Sequence, residues 1–139
     1  MSDIVSLPQN TTVRIEIEAK FGFDATEFTL KKYKFLYHLT PSRSVPNILK
    51  YGLVPKTRNK KSVHPDRIYL TTTNQAAKEL LPEFIKHEKI HEWTVLKINI
   101  KNVDVTQFRV FVDPAYPHNG LFTLSNISPQ YISIEEQIG

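Results

Sequence analysis

Five histidines, His38, His64, His87, His91 and His118, are the residues of this chain best suited to proton transfer, metal ligation or ribose binding. Two of them, His87 and His91, stand four apart in His87-Glu88-Lys89-Ile90-His91, a literal HExxH match. A zinc site of that type needs a buried helix carrying both imidazoles and a third ligand. This stretch is highly charged and runs directly into an apolar strand pattern at Trp93, so the reading is a solvated helix end with no metal. His38 differs. It lies inside the aromatic run Tyr37-His38-Leu39-Thr40, and both a hydrogen-bonded core histidine and a ligand-binding one are open there. Tyr69, between Arg67 and a run of threonines, carries the same two readings.

The elements that must position these residues follow from hydrophobic periodicity. Residues 13–21 (VRIEIEAKF) alternate apolar and charged, the period of a strand with one wet face. Residues 33–40 (YKFLYHLT) read as a more buried strand stopped by Pro41. Residues 44–52 (SVPNILKYG) read as a short helix. Ser44 caps it, Pro46 sits in the first turn, Val45, Ile48 and Leu49 face inward, and Gly52 ends it. Residues 56–67 (KTRNKKSVHPDR) hold five basic residues and read as a loop, either a solvated turn or a phosphate-facing one.

Residues 67–72 (RIYLTT) form a strand. Thr73 or Asn74 then caps a helix to about Lys89 that Pro82 kinks or divides, with Ala76, Ala77, Leu80, Leu81, Phe84 and Ile85 inside. Residues 93–100, 108–112, 121–124 and 131–134 complete about seven strands and two main helices. The expectation is one mixed α+β domain over residues 1–139 with a split or sandwiched sheet.

Composition narrows the function. With no cysteine, disulfides, thiolate metal sites and cysteine nucleophiles are excluded. No apolar stretch approaches the ~20 residues of a membrane span. The amino terminus lacks a basic region followed by an apolar run, so a cytoplasmic protein is expected. The formal charge of +4 is compatible with a phosphate-rich ligand without requiring one.

The order of the pieces adds a further expectation. A strand carrying YHLT, a helix of the form S-x-x-x-I-L-x-x-G-L-x-P, a basic loop, a strand RIYLTT, a helix opening NQAA and a closing NGLFTLSNISPQYI follow one another from about residue 35 to 134. This arrangement resembles the ADP-ribosyltransferase superfamily, most nearly its KptA-type RNA 2′-phosphotransferase branch and DarT-like members. The resemblance implies an ADP-ribosyltransferase-like split β-sheet sandwich that holds NAD as substrate and cleaves its nicotinamide–ribose bond. By the same resemblance, His38 would bond the adenine-side ribose with support from Thr40. The backbone of Leu39 would meet the nicotinamide amide, and Tyr69 would stack on its ring with Thr71 on the same wall. Arg43 and the basic loop, Arg67 included, would lie near the pyrophosphate.

Departures qualify the expectation. Many protein-modifying members carry a glutamate on the third strand. Here that stretch is His118-Asn119-Gly120-Leu121, leaving Asn119 as the third candidate catalytic residue. The phosphotransferase branch also lacks the glutamate, but it has histidines where this chain has Arg67 and Tyr69. It also has an amino-terminal helical lobe, whereas the residues before the first motif here read as a strand. The expected acceptor is a nucleic acid, a phosphate or another group. The alternative is a non-catalytic NAD- or RNA-binding module of the same fold.

Overall fold

A computed structural model describes residues 23–55, 67–113 and 119–139. The strand expected over 13–21, residues 56–66 of the basic loop, His64 and His118 lie outside the described residues. The described elements run α1 (Thr26–Lys32), β1 (Phe35–Pro41), a 3₁₀ turn (Ser42–Ser44), α2 (Val45–Tyr51), β2 (Ile68–Thr71), α3 (Asn74–Glu79), α4 (Leu81–Glu88), β3 (Trp93–Asn99), β4 (Val110–Val112), β5 (Gly120–Thr123), a second 3₁₀ turn (Pro129–Tyr131) and β6 (Ile132–Ile138). The six strands form one antiparallel sheet in the order β4-β5-β2-β1-β3-β6.

Both faces of this sheet are covered, as the period-two pattern requires when every strand residue finds apolar cover. Leu36, Ile68, Leu70, Leu96, Ile98 and Leu121 point to one face, where Val45 and Ile48 of α2 pack, with Leu30 of α1 against them. Leu39, Trp93 and Val95 point to the other, under Ala77 of α3 and Phe84 and Ile85 of α4. The Trp93 ring lies 5.4 Å from that of Phe84, and its indole N–H donates to the Ile90 carbonyl at 2.6 Å. Full burial of such a ring removes its largest apolar surface from water without orphaning its one donor.

The two expected helices are four α-helical segments among the described residues. α1 carries no apolar period. Its buried side is Thr26 and Thr29; Asp24 accepts from the Thr26 amide at 2.9 Å within the turn, and the Thr26 hydroxyl accepts from the Val110 amide at 2.9 Å, so local and tertiary hydrogen bonds rather than an amphipathic stripe set it. This helix follows the strand expected over 13–21 and lies in a stretch the sequence pattern left without an element. α3 and α4 are divided where Pro82 enters the first turn of α4, and Thr73 caps α3 by accepting from the Ala76 amide at 3.0 Å.

α2 starts after Ser44 with Pro46 in its first turn, but Ser44 makes no side-chain cap bond, and Leu49 is exposed rather than inward. Gly52 ends this helix at φ 90°, and a Cβ there would collide with the Ile127 carbonyl, which accepts from the Leu53 amide at 2.9 Å. Glycine is the residue that takes this φ without strain. β6 runs past the expected end at Ile134 to Ile138: Glu136–Ile138 pair with Val95–Trp93 of β3, Glu136 accepts from Asn74 at 3.0 Å and Lys78 at 3.2 Å of α3, and Ile138 packs against the second core.

Candidate functional site

The sheet is not equally closed between its strands. β1 pairs with β3 along its whole length, from Phe35 opposite Asn99 to Pro41 opposite Trp93. On its other edge β1 pairs with β2 at one register position, Tyr37 opposite Thr71. Beyond that point the two strands part, β2 staying with β5 and β1 with β3. A cavity of about 670 Å³ occupies the opening.

His38 and Tyr69 both border it. The pairing of Tyr37 with Thr71 puts them on opposite sides of the pleat. His38 alternates with Leu36 and Thr40 toward the face bearing α2, and Tyr69 alternates with Thr71 toward the face bearing α3 and α4. They meet because the cavity passes through the seam, with Ile48 and Tyr51 of α2 lining one side and Phe84 and Trp93 the other. His38 Nδ1 donates to the Tyr69 carbonyl at 2.7 Å. A carbonyl only accepts, so Nδ1 carries a proton whatever the ring's charge, and any lone pair sits on Nε2. A side chain thus bridges the strands where the backbone ladder stops.

Of the other residues singled out from sequence, Leu39, Thr40, Arg67 and Thr71 also line the cavity. Thr71 is held by donating its hydroxyl to the Thr73 carbonyl at 2.8 Å. Arg43 is exposed on the 3₁₀ turn after β1 and does not line it. Neither does Asn119, which secures the end of β2. Its carbonyl accepts from the Thr72 amide at 3.1 Å and its Oδ1 from the Thr72 hydroxyl at 3.0 Å.

Arg67 is the anomaly of the site. It is 5% exposed, and its Nε and Nη2 have no hydrogen-bond partner among the described residues. Its guanidinium lies 3.9 Å from the centre of the Phe122 ring, a cation–π geometry. Phe122 in turn stacks on Phe111 at 5.3 Å.

The chain's HExxH segment does not form a shared helical face. α4 ends at Glu88, Lys89 takes the left-handed conformation, and His91 lies beyond it. His87 instead pairs with Glu83 at 3.2 Å on the exposed side of α4. Glu83, His87 and Glu88 all reach the cavity, so the carboxylates near it come from a helix, not from the strand position held by Asn119. Their signal in sequence was the i, i+4 spacing of Glu83 and His87, which reads equally well as a solvated pair. Tyr37 was missed as a lining residue. Burial and the charge of Glu135 raise the pKa of its phenol, which keeps the hydroxyl protonated.

Among the described residues, no helix is long and apolar enough to cross a membrane. No protein-family model matches the chain, and no curated protein matches it in sequence.

Proposed function

We propose that the chain is an ADP-ribosyltransferase-like protein that binds NAD through the opened seam and transfers ADP-ribose to a nucleic-acid, phosphate or other acceptor. The observation that carries this reading is the cavity between β1 and β2 that both His38 and Tyr69 line; that their side chains leave the pleat on opposite sides counts against a shared grip on a single ring. Its volume falls within the usual range for cofactor sites. A ligand with two ring-bearing halves suits a cleft that crosses a sheet. One half meets His38 and Thr40, and the other stacks on the Tyr69 ring. Leu39 sends its side chain into the second core, so its backbone is the part offered to the nicotinamide amide.

The chemistry asked of the protein is modest. The C1′–N bond breaks with its electron pair leaving on nicotinamide, an oxocarbenium-like ribose forms, and the acceptor oxygen bonds C1′ while its proton passes to solvent or a base. Orientation and stabilisation of the developing cation supply most of the acceleration. Nicotinamide released from NAD by the purified chain, and lost in His38→Ala with the fold retained, is the expected result. A wild-type chain that neither releases nicotinamide nor melts higher with NAD would sink the reading.

The absence of a strand carboxylate, with Asn119 committed to Thr72, favours a second reading: a binding module without turnover. It predicts a melting shift with NAD or RNA and no product.

A further inference from the structure

We propose that a second, smaller cavity, separate from the seam, binds one uncharged ring with a lactam edge, of which a pyrimidine base is the common form. The proposal does not rest on the reading of the seam.

This cavity is built where two loops meet at the far end of β3. One loop, residues 100–108, is held by backbone bonds. The Ile100 amide donates to the Lys34 carbonyl at 2.9 Å, and the amides of Gln107 and Phe108 donate to the Asp104 carbonyl at 2.9 and 3.2 Å. The other loop, residues 124–131, is pinned at Ile127, whose amide and carbonyl both bond Leu53 at 2.9 Å, and it closes in the second 3₁₀ turn. Both walls are therefore set before a ligand arrives, which lowers the ordering cost of binding. Leu53 borders the seam cavity and Ile127 the smaller one, so this bridge is a partition between them, and no described residue lines both.

Size, charge and edge chemistry give the class of ligand. The volume is about 100 Å³. That is well below the ~300 Å³ at which sites for drug-sized molecules begin, and it approaches the ~150 Å³ of an apolar cavity that holds benzene, so one ring fits and a dinucleotide does not. Ile98, Ile100, Phe108 and Ile127 form a buried apolar floor. No charged side chain is among the described residues that line the cavity, so an ion would give up hydration without a partner. The rim is polar but uncharged. Asn99, Gln107 and Asn126 bring carboxamides to it, and the partly exposed Tyr131 brings an aromatic ring. The Asn99 Oδ1 accepts from the Lys101 amide at 2.9 Å, so Nδ2 is the part it offers a ligand. A carboxamide carries an acceptor and a donor side by side, the complement of a lactam's N–H and C=O, and the same pairing lets Asn and Gln read base edges in nucleic acids. A purely apolar ring would cover the floor but leave rim amides desolvated and unpaired.

The test is an NMR titration of the full chain, read at the side-chain amides of Gln107 and Asn126 and at the isoleucine methyls of the floor. The probes are uracil, benzene (a ring without the edge), orotate (uracil bearing a carboxylate) and the dinucleotide uridylyl-uridine. Uracil is expected to shift these signals saturably, with benzene and orotate about tenfold weaker. Gln107 and Asn126 are exposed, so Gln107→Met and Asn126→Leu keep the fold. In each variant uracil should weaken about tenfold while benzene holds or gains, a reversal that a merely structural role would not produce.

Tighter binding of uridylyl-uridine than of uracil assigns the site to a base within a strand, and equal or weaker binding assigns it to a free base. No saturable uracil shift in wild type, equal affinity for uracil and benzene, or uracil binding unchanged in both variants overturns the proposal. NAD, titrated separately and read at His38 and Tyr69, tests the seam, so failure at either cavity leaves the other reading standing.

Discussion

β1 has two edges, and they have opposite characters. Toward β3 it is closed along every residue, with Trp93 buried at the end of the seam and capped by Phe84. Toward β2 it is joined at Tyr37 opposite Thr71 and then opens into a cavity bridged by one imidazole. One strand thus serves as structural wall on one side and as ligand wall on the other. Truncation should therefore unfold the protein on the first side and spare the fold on the second.

The largest expected effect breaks the closed edge. Trp93→Ala should cost about 3–5 kcal/mol, the usual loss for a buried large aromatic, and show as a lowered denaturation midpoint with NAD affinity unmeasurable apart from unfolding. At the open edge, Tyr69→Ala should leave stability within about 1 kcal/mol of wild type, because its ring is partly exposed, and should weaken NAD binding about tenfold. Tyr69→Phe should be mild, since the stacking face remains. An equal loss of stability at Trp93 and Tyr69, read by chemical denaturation, would show that the open edge is merely core.

His38→Ala tests the bridge itself. Losing the bond to the Tyr69 carbonyl should cost about 1 kcal/mol in stability, while NAD binding falls further than that stability change explains. Thr73→Ala, which removes the cap of α3 beside the seam, should cost about 1 kcal/mol and leave affinity nearly unchanged.

The smallest effect lies at the far edge of the sheet and depends on pH. Burial alone would raise the pKa of the Asp24 carboxyl, but hydrogen bonds from Thr26 and from the Arg109 guanidinium outweigh it and hold the group below its ordinary 3.8. The folded state therefore binds that proton more weakly than the unfolded chain. Its contribution is full above the unfolded value and lost as pH falls through the lower folded one. Asp24→Asn should flatten the acid limb of a stability profile below pH 3.8 without affecting the seam.

Much of this was legible in the chain. Alternation located β1, β2, β3 and β5 to within a residue or two, because each buries apolar side chains at period two. Thr73 and Pro82 announced the start of α3 and the break before α4 through local rules that need no tertiary context. Other features left no such mark. α1 buries threonines, so no apolar stripe advertised it, and the extension of β6 opens on Glu135, Glu136 and Gln137, whose polar run hid the tertiary contacts of Glu136 and Ile138. Glu83 and His87 had helical spacing, but nothing local could tell a surface pair from one bordering a cleft.

Residue order and periodicity thus specified which side chains stand on which strand, because a pleat alternates without regard to its neighbours. Strand pairing decided the rest. Register is a long-range property, so only the assembled sheet could make β1 leave β2 after one pair, draw His38 and Tyr69 to a common opening from opposite sides, and seat Arg67 on Phe122, a ring supplied by a strand some fifty residues further along the chain.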